Sequence, residues 1–425
     1  MPKAFFRQSI FLVYDRLWRV AHPFLGLNAR LSTGLKQRVL EVELPSADIW
    51  IQAASAGESH LALLLARKLQ RRIPVSILMT TTTQQGMDTL RRGLEETELD
   101  DSRAFAAYFP FDAPMLMRRA VQMARPKVVV LVESEIWPGL LSSLDRRSCP
   151  VLVVNGRMTQ KSLRRYLLWP SLWRTVAPDK ILAISPEDAG RFGRLFGFPR
   201  VDVMSNMKFD RITFHSRDLE TRPTAADIVD PGASFVVLGS VRKEEESVAG
   251  KMIANIIQRR KDVVLGVFPR HMHRVEHWQK RLSDLGVSWR LRSDCTGSVV
   301  RPTTAILWDA FGELPAAYSR ANAAFVGGSL APLGGQNFLE PLTCGVRPVI
   351  GPSWENFHWI GTAAVKEGLV KVAEDWRAVS KSLVRDLECP LSRKTVQKAV
   401  ARYVKVRQGG TVEACREIER LWIQQ

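Results

Sequence analysis

The stretch that decides the fold is Ala323–Phe357, AAFVGGSLAPLGGQNFLEPLTCGVRPVIGPSWENF. Its apolar run Ala323–Val326 is typical of a buried strand, and the glycines Gly327 and Gly328 follow that run directly. Arg347–Ile350 predicts a second strand, and a short helical pattern lies between the two. A strand, a glycine loop, a helix and another strand indicate a parallel α/β crossover unit.

The glycine loop of this unit predicts a phosphate-binding site. Glycines let backbone N–H groups approach a ligand closely, and the start of a helix adds positive potential. We predict that Asn337 caps the short helix, which carries Glu340 and ends near Gly345. The loop has neither a Walker lysine nor a G-x-G-x-x-G spacing. It therefore favours a nucleotide-sugar donor over ATP or a dinucleotide.

Length and charge narrow the class of protein. A chain of 425 residues is too long for one ordinary core and predicts two domains. Lysines and arginines (61) exceed acids (43), which predicts an anionic partner such as a phosphate, a nucleic acid or an acidic membrane. No RNA-binding aromatic signature, helix-turn-helix pattern or zinc spacing accompanies this charge, so the sequence argues against nucleic acid. Five scattered cysteines without a C-x-x-C motif favour a reduced intracellular compartment and no metal cluster.

The N-terminal segment Phe5–Val20 mixes apolar residues with charges and lacks a cleavable signal. It is too short and too charged to span a bilayer. Within residues 1–40 it can form a basic amphipathic helix on a membrane surface. The alternative is a helix that packs on its own domain.

Strand and helix patterns alternate along both halves of the chain. In the first half the predicted strands are Ile49–Ala53, Val75–Thr80, Val128–Val132, Val151–Val154, Ile181–Ile184 and Val201–Met204. In the second half they are Phe235–Leu238, Val263–Phe268, Ala305–Trp308, Ala323–Val326, Pro348–Ile350 and Leu369–Val372. We predict two Rossmann-like domains facing each other across a cleft: residues 1–209 and 234–408, with a linker at 210–233 and a C-terminal helix at 409–425. Ligands in such sheets bind beyond the carboxyl ends of the strands.

Glu58 is the first candidate for chemistry, because it follows the strand Ile49–Ala53 among small residues. A carboxylate at that position can take a proton from an attacking hydroxyl group. Small residues at Ala53–Gly57 also suggest close approach by another molecule. The alternative is a structural glutamate in the first turn of a helix, where the macrodipole favours it.

Three further charged residues of the first domain follow strands. Glu133 and Glu135 come after an apolar run, where two carboxylates are costly to bury unless they are used or paired. Their structural alternative is a helix N-terminal acid with a salt bridge to an arginine such as Arg157. Lys208 either reaches into the cleft or faces solvent.

In the second domain Pro269 and Arg270 end a buried strand, which places an arginine where a phosphate would bind. The turn Phe311-Gly312-Glu313 starts a helix, and the region of Gly312 can present backbone N–H groups to a phosphate.

Two side-chain pairs of the second domain have competing interpretations. Glu340 lies three residues after Asn337, so it either accepts hydrogen bonds from ribose hydroxyls or acts as the capping partner of Asn337. His271 and His273 lie two residues apart without a third ligand, which argues against a metal.

Several motifs in the same order resemble the 3-deoxy-D-manno-octulosonic acid (Kdo) transferases of lipopolysaccharide assembly. They are ASAGESHLA, MTTTTQQG, YFPFD, VESEIWPGLL, VNGRM, ISPEDAGRF, NMKFD, FPRH, FGELPAAY and FVGGSLAPLGGQNFLEP, and together they span most of the chain. The resemblance implies a GT-B fold and transfer of Kdo from CMP-Kdo to a lipid A precursor. It also implies inversion without a metal or another cofactor, at the cytoplasmic face of the inner membrane, with peripheral or monotopic attachment.

The resemblance also implies a role for each candidate. It makes Glu58 the general base that deprotonates the acceptor hydroxyl, with Glu133 or Glu135 and Lys208 lining the reaction centre. It implies that CMP is held by Pro269, Arg270, Phe311, Gly312 and Glu313. It also implies that Asn337 and Glu340 lie at the CMP end of the cleft and anchor the donor there.

The chain departs from that family's pattern in three places. Its N-terminal segment is shorter and more charged than a hydrophobic anchor, and Gln336 and Phe338 vary within the glycine loop. The turn after Phe235–Leu238 lacks the family's histidine, for which Arg242 is a possible substitute. Two alternatives stay open: another GT-B enzyme that uses a UDP-sugar, and a non-catalytic basic membrane-binding protein of the same fold.

Overall fold

The computed structural model describes residues 11–18, 20, 29–96, 99–100, 102–212, 228–295 and 298–425. The chain divides into two compact units. Unit 1 contains Met1–Arg211 and Arg407–Gln425, and unit 2 contains Ile212–Val406. Most of the predicted linker, residues 213–227, lies outside the described residues.

Unit 1 is built on a seven-stranded parallel sheet with the order β3-β2-β1-β4-β5-β6-β7. The strands are β1 (Ile49–Ala53), β2 (Ile77–Thr81), β3 (Ala104–Tyr108), β4 (Val128–Val132), β5 (Val151–Gly156), β6 (Lys180–Ala183) and β7 (Val201–Val203). The helices are α1 (residues 11–18), α2 (Ala29–Ser32), α3 (Leu35–Arg38), α4 (Ala56–Gln70), α5 (Gln84–Glu95), α6 (Pro114–Ala124), α7 (Pro138–Asp145), α8 (Gln160–Tyr166), α9 (Pro170–Thr175) and α10 (Pro186–Phe196).

The central strands of unit 1 are apolar because helices cover both faces of the sheet. Every residue of β1 and β4 is buried. Ile49 and Ile51 belong to the core on one face, whereas Trp50 belongs to the core on the other. Strands of a parallel sheet that are buried on both faces appear in a sequence as continuous apolar runs, which is why these two were predicted with their observed bounds.

Unit 2 has a second seven-stranded parallel sheet, with the order β10-β11-β9-β8-β12-β13-β14. The strands are β8 (Ser234–Val241), β9 (Val263–Pro269), β10 (Ser288–Leu291), β11 (Thr304–Leu307), β12 (Ala323–Val326), β13 (Pro348–Ile350) and β14 (Lys371–Val372). The helices are α11 (Glu246–Arg259), α12 (Val275–Asp284), α13 (Leu314–Arg320), α14 (Leu339–Thr343), α15 (Ala363–Lys366), α16 (Trp376–Glu388) and α17 (Arg393–Lys405).

The last helix, α18 (Gly410–Ile423), belongs to unit 1. Ala414, Cys415 and Ile418 join the same core cluster as Leu61 and Leu65 of α4. The chain therefore leaves unit 1 after the 3-10 turn Met207–Arg211 and returns to it to complete the core around α4.

Every predicted strand overlaps an observed one, but β3 and β10 were not predicted. Both are edge strands, with one neighbour each. Several of their residues are only partly buried. β3 (AFAAY) consists largely of alanine, which is depleted in strands, and β10 (SWRL) is interrupted by Ser288 and Arg290. The predicted N-cap of α14 was also wrong by one residue: Phe338, not Asn337, occupies that position.

The strand order places two loops of each sheet at the point where the order reverses. In unit 1 this point lies between β1 and β4, and in unit 2 it lies between β8 and β12. Because ligands of open α/β sheets bind beyond the carboxyl ends of the strands at such points, the loops after these four strands are where a site is expected.

Candidate active site

Glu58 lies in the first turn of α4, directly after β1. Its N–H donates to Ser55 Oγ at 3.4 Å, and Ser55 Oγ donates to the carboxylate Oε1 at 3.1 Å. The N–H of Ala54 donates to Oε2 at 2.7 Å. The glutamate thus stabilises the helix start, in the way that the structural alternative anticipated.

The environment of Glu58 also makes it a group that exchanges protons near neutral pH. Burial raises the pKa of Glu58 to about 7; the hydrogen bond from Ala54 opposes this shift, and the charges of Glu135 and Glu133 add to it. A general base is most effective when its pKa lies close to the working pH. Capping the helix and accepting a proton are therefore compatible roles for this carboxylate.

Glu133 forms an ion pair with Lys208, and the distance from Lys208 Nζ to Glu133 Oε1 is 2.6 Å. Both side chains are largely buried. Glu133 directly follows β4 and has a positive φ of 61°, which few residues other than glycine adopt. The cation that pairs with this acid is therefore Lys208, whereas Arg157 was the partner suggested from the sequence.

Glu135 lies in a polar network that the sequence analysis did not identify. Its Oε2 accepts hydrogen bonds from Gln52 Nε2 at 3.1 Å and from Trp137 Nε1 at 2.8 Å. Gln52 Oε1 in turn accepts from Thr80 Oγ1 at 2.6 Å, and Thr80 accepts from Trp50 Nε1 at 2.7 Å. Burial raises the pKa of Glu135, and the charge of Glu133 adds to this shift. The hydrogen bonds from Gln52 and Trp137 oppose it.

A second buried carboxylate holds the loop that carries Glu135. Asp112 is 1% exposed and accepts hydrogen bonds from the N–H groups of Gly139 and Leu140, at 2.8 Å each, in the first turn of α7. Tyr14 of α1 donates its hydroxyl to Asp112 at 2.9 Å. Burial raises the pKa of Asp112 to about 7, against these hydrogen bonds. The D of the YFPFD motif was the available signal for this residue.

In unit 2 the prediction for the first glycine pair was wrong. The carboxylate of Glu245, which is fully buried, accepts hydrogen bonds from the backbone N–H groups of Gly328, Ser329 and Leu330. The N–H of Arg242 donates to the same carboxylate at 3.3 Å. The N–H groups predicted to hold a phosphate are therefore occupied by a side chain of the protein.

Positive charge collects at the ends of β8 and β9. The N–H of Arg270 donates to the carbonyl of Val241 at 2.8 Å, which fixes the two strand ends side by side. Burial and the charges of Arg242 and Arg270 lower the pKa of His271. Pro269, Arg270 and Arg242 thus lie at neighbouring strand ends, and Arg242 also faces Glu244 at 4.0 Å.

The two histidines of this region stack on each other. The ring centroids of His271 and His273 lie 5.5 Å apart. Within the described part of the chain, no three His, Cys, Asp or Glu side chains come together in a group that could hold a metal ion.

The Phe311-Gly312-Glu313 turn follows β11. Phe311 is 78% exposed, and Gly312 has a positive φ of 86°. Glu313 is held internally, because its Oε2 accepts from Trp308 Nε1 at 2.9 Å and from Arg292 Nε at 2.8 Å.

Asn337 and Glu340 contact each other. Asn337 Nδ2 donates to Glu340 Oε1 at 2.9 Å, and Asn337 Oδ1 accepts from the N–H of Leu339 at 3.2 Å. Glu340 therefore contacts Asn337, the partner named in its structural alternative, through a bond between the two side chains.

The comparisons with known proteins agree with the motifs. A family described as 3-deoxy-D-manno-octulosonic-acid transferase (kdotransferase) matches residues 25–211. The chain is 29% identical over 373 residues to a 3-deoxy-D-manno-octulosonic acid transferase of Bordetella pertussis, with 86% of this chain and 85% of the relative covered. It is 27% identical over 411 residues to the enzyme of that name from Haemophilus influenzae, with 91% and 92% covered.

A solved structure extends the likeness to the fold. A glycosyltransferase from Rickettsia africae ESF-5 superposes with a TM-score of 0.57 at 10% identity, covering 90% of this chain and 99% of that one. This likeness confirms the predicted GT-B fold class and is too distant to indicate a substrate. The family match over residues 25–211 and the two relatives together show that the chain is similar to 3-deoxy-D-manno-octulosonic acid transferases over most of its length.

Proposed function

We propose that the protein transfers Kdo from CMP-Kdo to a lipid A precursor of the lipid IVA type, with inversion at the anomeric carbon and without a metal. The observation that carries this proposal is Glu58, a carboxylate at the switch point of its sheet whose pKa is raised to about 7. The same substrates are what the resemblance of the whole chain to Kdo transferases implies.

The proposed reaction is a single displacement. An acceptor hydroxyl gives its proton to Glu58, and its oxygen forms a bond to the anomeric carbon of Kdo. The bond from that carbon to the phosphate oxygen breaks, and CMP leaves. Displacement from the opposite side of the sugar inverts the anomeric configuration.

Charge on the departing phosphate is balanced by side chains of unit 2 in this proposal. The guanidinium groups of Arg242 and Arg270 lie at the ends of adjacent strands. Fixed positive groups of this kind stabilise charge that develops in a transition state, so the leaving group needs no metal ion. The exposed Phe311 ring is the proposed contact of the cytosine base.

Reconstitution tests the proposal. Purified protein, CMP-Kdo generated in situ and a lipid A precursor should give a product that is heavier by one or more Kdo units in mass spectrometry. UDP-sugars should give no product, and EDTA should leave the rate unchanged. Turnover with UDP-sugars alone would instead favour the rival GT-B enzyme, and the absence of any turnover would favour a non-catalytic binding protein.

We also propose that α1 binds the cytoplasmic face of the inner membrane. Leu12, Val13, Leu17 and Val20 are exposed, each by more than half of its surface. The opposite face packs on unit 1, because Phe11 is buried there. No helix among the described residues has both the length and the apolar character needed to cross a membrane. The first residues of the predicted amphipathic helix, which include Phe5, Phe6 and Ile10, lie outside the described part of the chain.

Flotation with vesicles that contain anionic lipids tests the membrane proposal. The double variant Leu12→Ser with Leu17→Ser should lose about tenfold in membrane partitioning, because two apolar side chains no longer enter the interface. The matched control is Leu391→Ser, an exposed leucine of unit 2 that should leave partitioning unchanged. Equal partitioning of all three proteins would contradict the proposal.

A further inference from the structure

We propose that the return turn, Gln408–Glu413, is a positioning element of the reaction centre. Its residue Thr411 binds the carboxylate of Asp210, which lies in the Met207–Arg211 turn. This contact holds that turn in the conformation from which Lys208 reaches Glu133. The inference rests on the proposed function of Glu58 and assigns a role to residues that the motifs alone leave without one.

The first contact joins Asp210 to the start of α18. Asp210 Oδ1 accepts from the N–H of Gly409 at 2.7 Å. Asp210 Oδ2 accepts from the N–H and the hydroxyl of Thr411, at 2.7 and 2.6 Å. A carboxylate that receives orphan N–H groups at the start of a long helix is stabilised by those bonds and by the helix dipole.

Further contacts lie on both sides of Lys208 in the chain. The N–H of Ser205 donates to Glu413 Oε2 at 3.1 Å, and Gln408 Nε2 donates to the carbonyl of Phe209 at 3.1 Å. The two backbones also approach closely, because a Cβ atom on Gly410 would lie 2.0 Å from the carbonyl oxygen of Ser205. The return turn therefore fixes the backbone both before and after the lysine.

The held turn is also attached to the sheet. The N–H of Met207 donates to Asn155 Oδ1 at 2.8 Å, and Asn155 lies in β5, next to β4. Fixing a long lysine side chain costs conformational entropy, and a backbone that is already ordered leaves only the side-chain torsions to be fixed. The 2.6 Å ion pair between Lys208 and Glu133 benefits directly from this arrangement.

Glu58 connects this positioning to the reaction. The charges of Glu133 and Glu135 raise the pKa of Glu58. The hydrogen bonds to its carboxylate come from Ala54 and Ser55. If Lys208 withdraws, the charge of Glu133 is no longer balanced. Glu58 then holds its proton to a higher pH, because a like charge disfavours the ionised form.

The test compares Asp210→Asn and Thr411→Val with Glu417→Gln. Glu417 lies on the same helix, about two turns after Gly410, and forms an ion pair with Arg420. Asp210→Asn should lower kcat/KM by about tenfold and move the acidic limb of its pH profile up by about half a unit. Thr411→Val should show both effects in weaker form, and it serves if Asp210→Asn does not fold. Glu417→Gln should match the wild type.

A second readout does not need turnover. Acetylation of Lys208 by an amine-reactive reagent, followed by mass spectrometry, should be several-fold faster in Asp210→Asn than in the wild type.

The double variant Lys208→Met with Asp210→Asn should be no slower in turnover than Lys208→Met alone, because both changes remove the same interaction.

The two proposals can fail separately. If the wild type transfers no Kdo and labelling of Lys208 still rises in Asp210→Asn, the proposed function is wrong and the positioning stands. If the wild type is active and neither labelling nor the pH profile changes, the positioning is overturned. Additive losses in the double variant would also overturn it.

Discussion

The first strand-to-helix junction of each unit carries a glutamate, and the two glutamates are held differently. Glu58, in the first turn of α4 after β1, accepts one backbone N–H and one hydroxyl, and the charges of two other carboxylates act on it. Glu245, between β8 and α11, is fully buried and accepts four backbone N–H groups.

The difference separates a group suited to exchange a proton from a group suited to hold a loop. Donors that saturate a carboxylate stabilise its charged form and leave no lone pair for a substrate. Burial with few donors beside other carboxylates favours the protonated form, and with one hydrogen bond to each oxygen of Glu58 the carboxylate is not saturated. The same residue type at equivalent positions of two similar sheets thus takes two roles that are set by its neighbours.

The largest expected effect is on catalysis by Glu58. Glu58→Gln should lower kcat by about a thousandfold, because the amide cannot accept the proton of the acceptor hydroxyl. The change is measured by product formation in mass spectrometry. Glu95→Gln, an exposed glutamate at the end of α5, is the matched control and should retain wild-type activity. A decrease in kcat of less than about fivefold in Glu58→Gln would mean that Glu58 is not the base, and the functional contrast with Glu245 would disappear.

The next effect concerns stability at Glu245. Glu245→Gln should cost about 3 kcal/mol, since an amide nitrogen would face N–H donors in a buried site. For a unit of this size that corresponds to roughly 6–12 °C in the midpoint of thermal unfolding. Glu58→Gln should change the midpoint by less than about 2 °C, because burial already disfavours the charge that it removes. Equal shifts for the two variants would mean that both glutamates are structural.

A smaller effect is expected in the pH profile of kcat/KM. In the wild type, activity should rise with pH as Glu58 ionises, reach half of its maximum near pH 7 and level off about one unit higher. Lys208→Met removes the cation beside Glu133, so the pKa of Glu58 rises and the limb moves to higher pH. Glu135→Gln removes a negative neighbour, so the limb moves to lower pH. Each shift should be about half a unit to one unit, and shifts in one direction for both variants would contradict the electrostatic account.

The smallest effect is expected at Gly57. A Cβ atom there would meet only Ser55 Oγ, at 3.9 Å, so Gly57→Ala should leave the thermal midpoint unchanged or slightly raise it. If the acceptor approaches this backbone closely, KM for the acceptor should rise several-fold while kcat changes little. At Gly328, by contrast, φ is 70° and a Cβ atom would lie 2.9 Å from Gln336, so Gly328→Ala should lower the midpoint. An unchanged KM in Gly57→Ala would show that the small residues serve packing only.

Central strands were predictable because burial on both faces leaves a nearly continuous apolar run. The edge strands β3 and β10 escaped prediction because AFAAY is rich in alanine, which is depleted in strands, and because polar residues interrupt SWRL. The order of the strands, which makes β1 and β4 neighbours, is not encoded in any local pattern. The closeness of Glu58 to Glu133 and Glu135 could therefore be expected only from the family resemblance.

Within the two glutamate sites, the residues that were not predicted have neighbours in the sequence that form no recognisable motif. Glu245 stands in the run KEEE, which has the appearance of a solvated surface. Gln52 offered a usable signal, because a lone amide in the buried strand IWIQA needs hydrogen-bond partners. Applied consistently, that rule would have predicted a polar network at the end of β1.

The bond from Tyr14 to Asp112 has a practical consequence for shortened chains. A protein that begins after residue 20, prepared to ease purification, would lack the phenol that donates to this buried carboxylate. With one donor fewer, Asp112 would take up a proton more readily, and its grip on the first turn of α7 next to Trp137 would weaken. Loss of activity on truncation would then measure damage to the loop of Glu135 as much as loss of the lipid surface, and Tyr14→Phe in the intact chain separates the two.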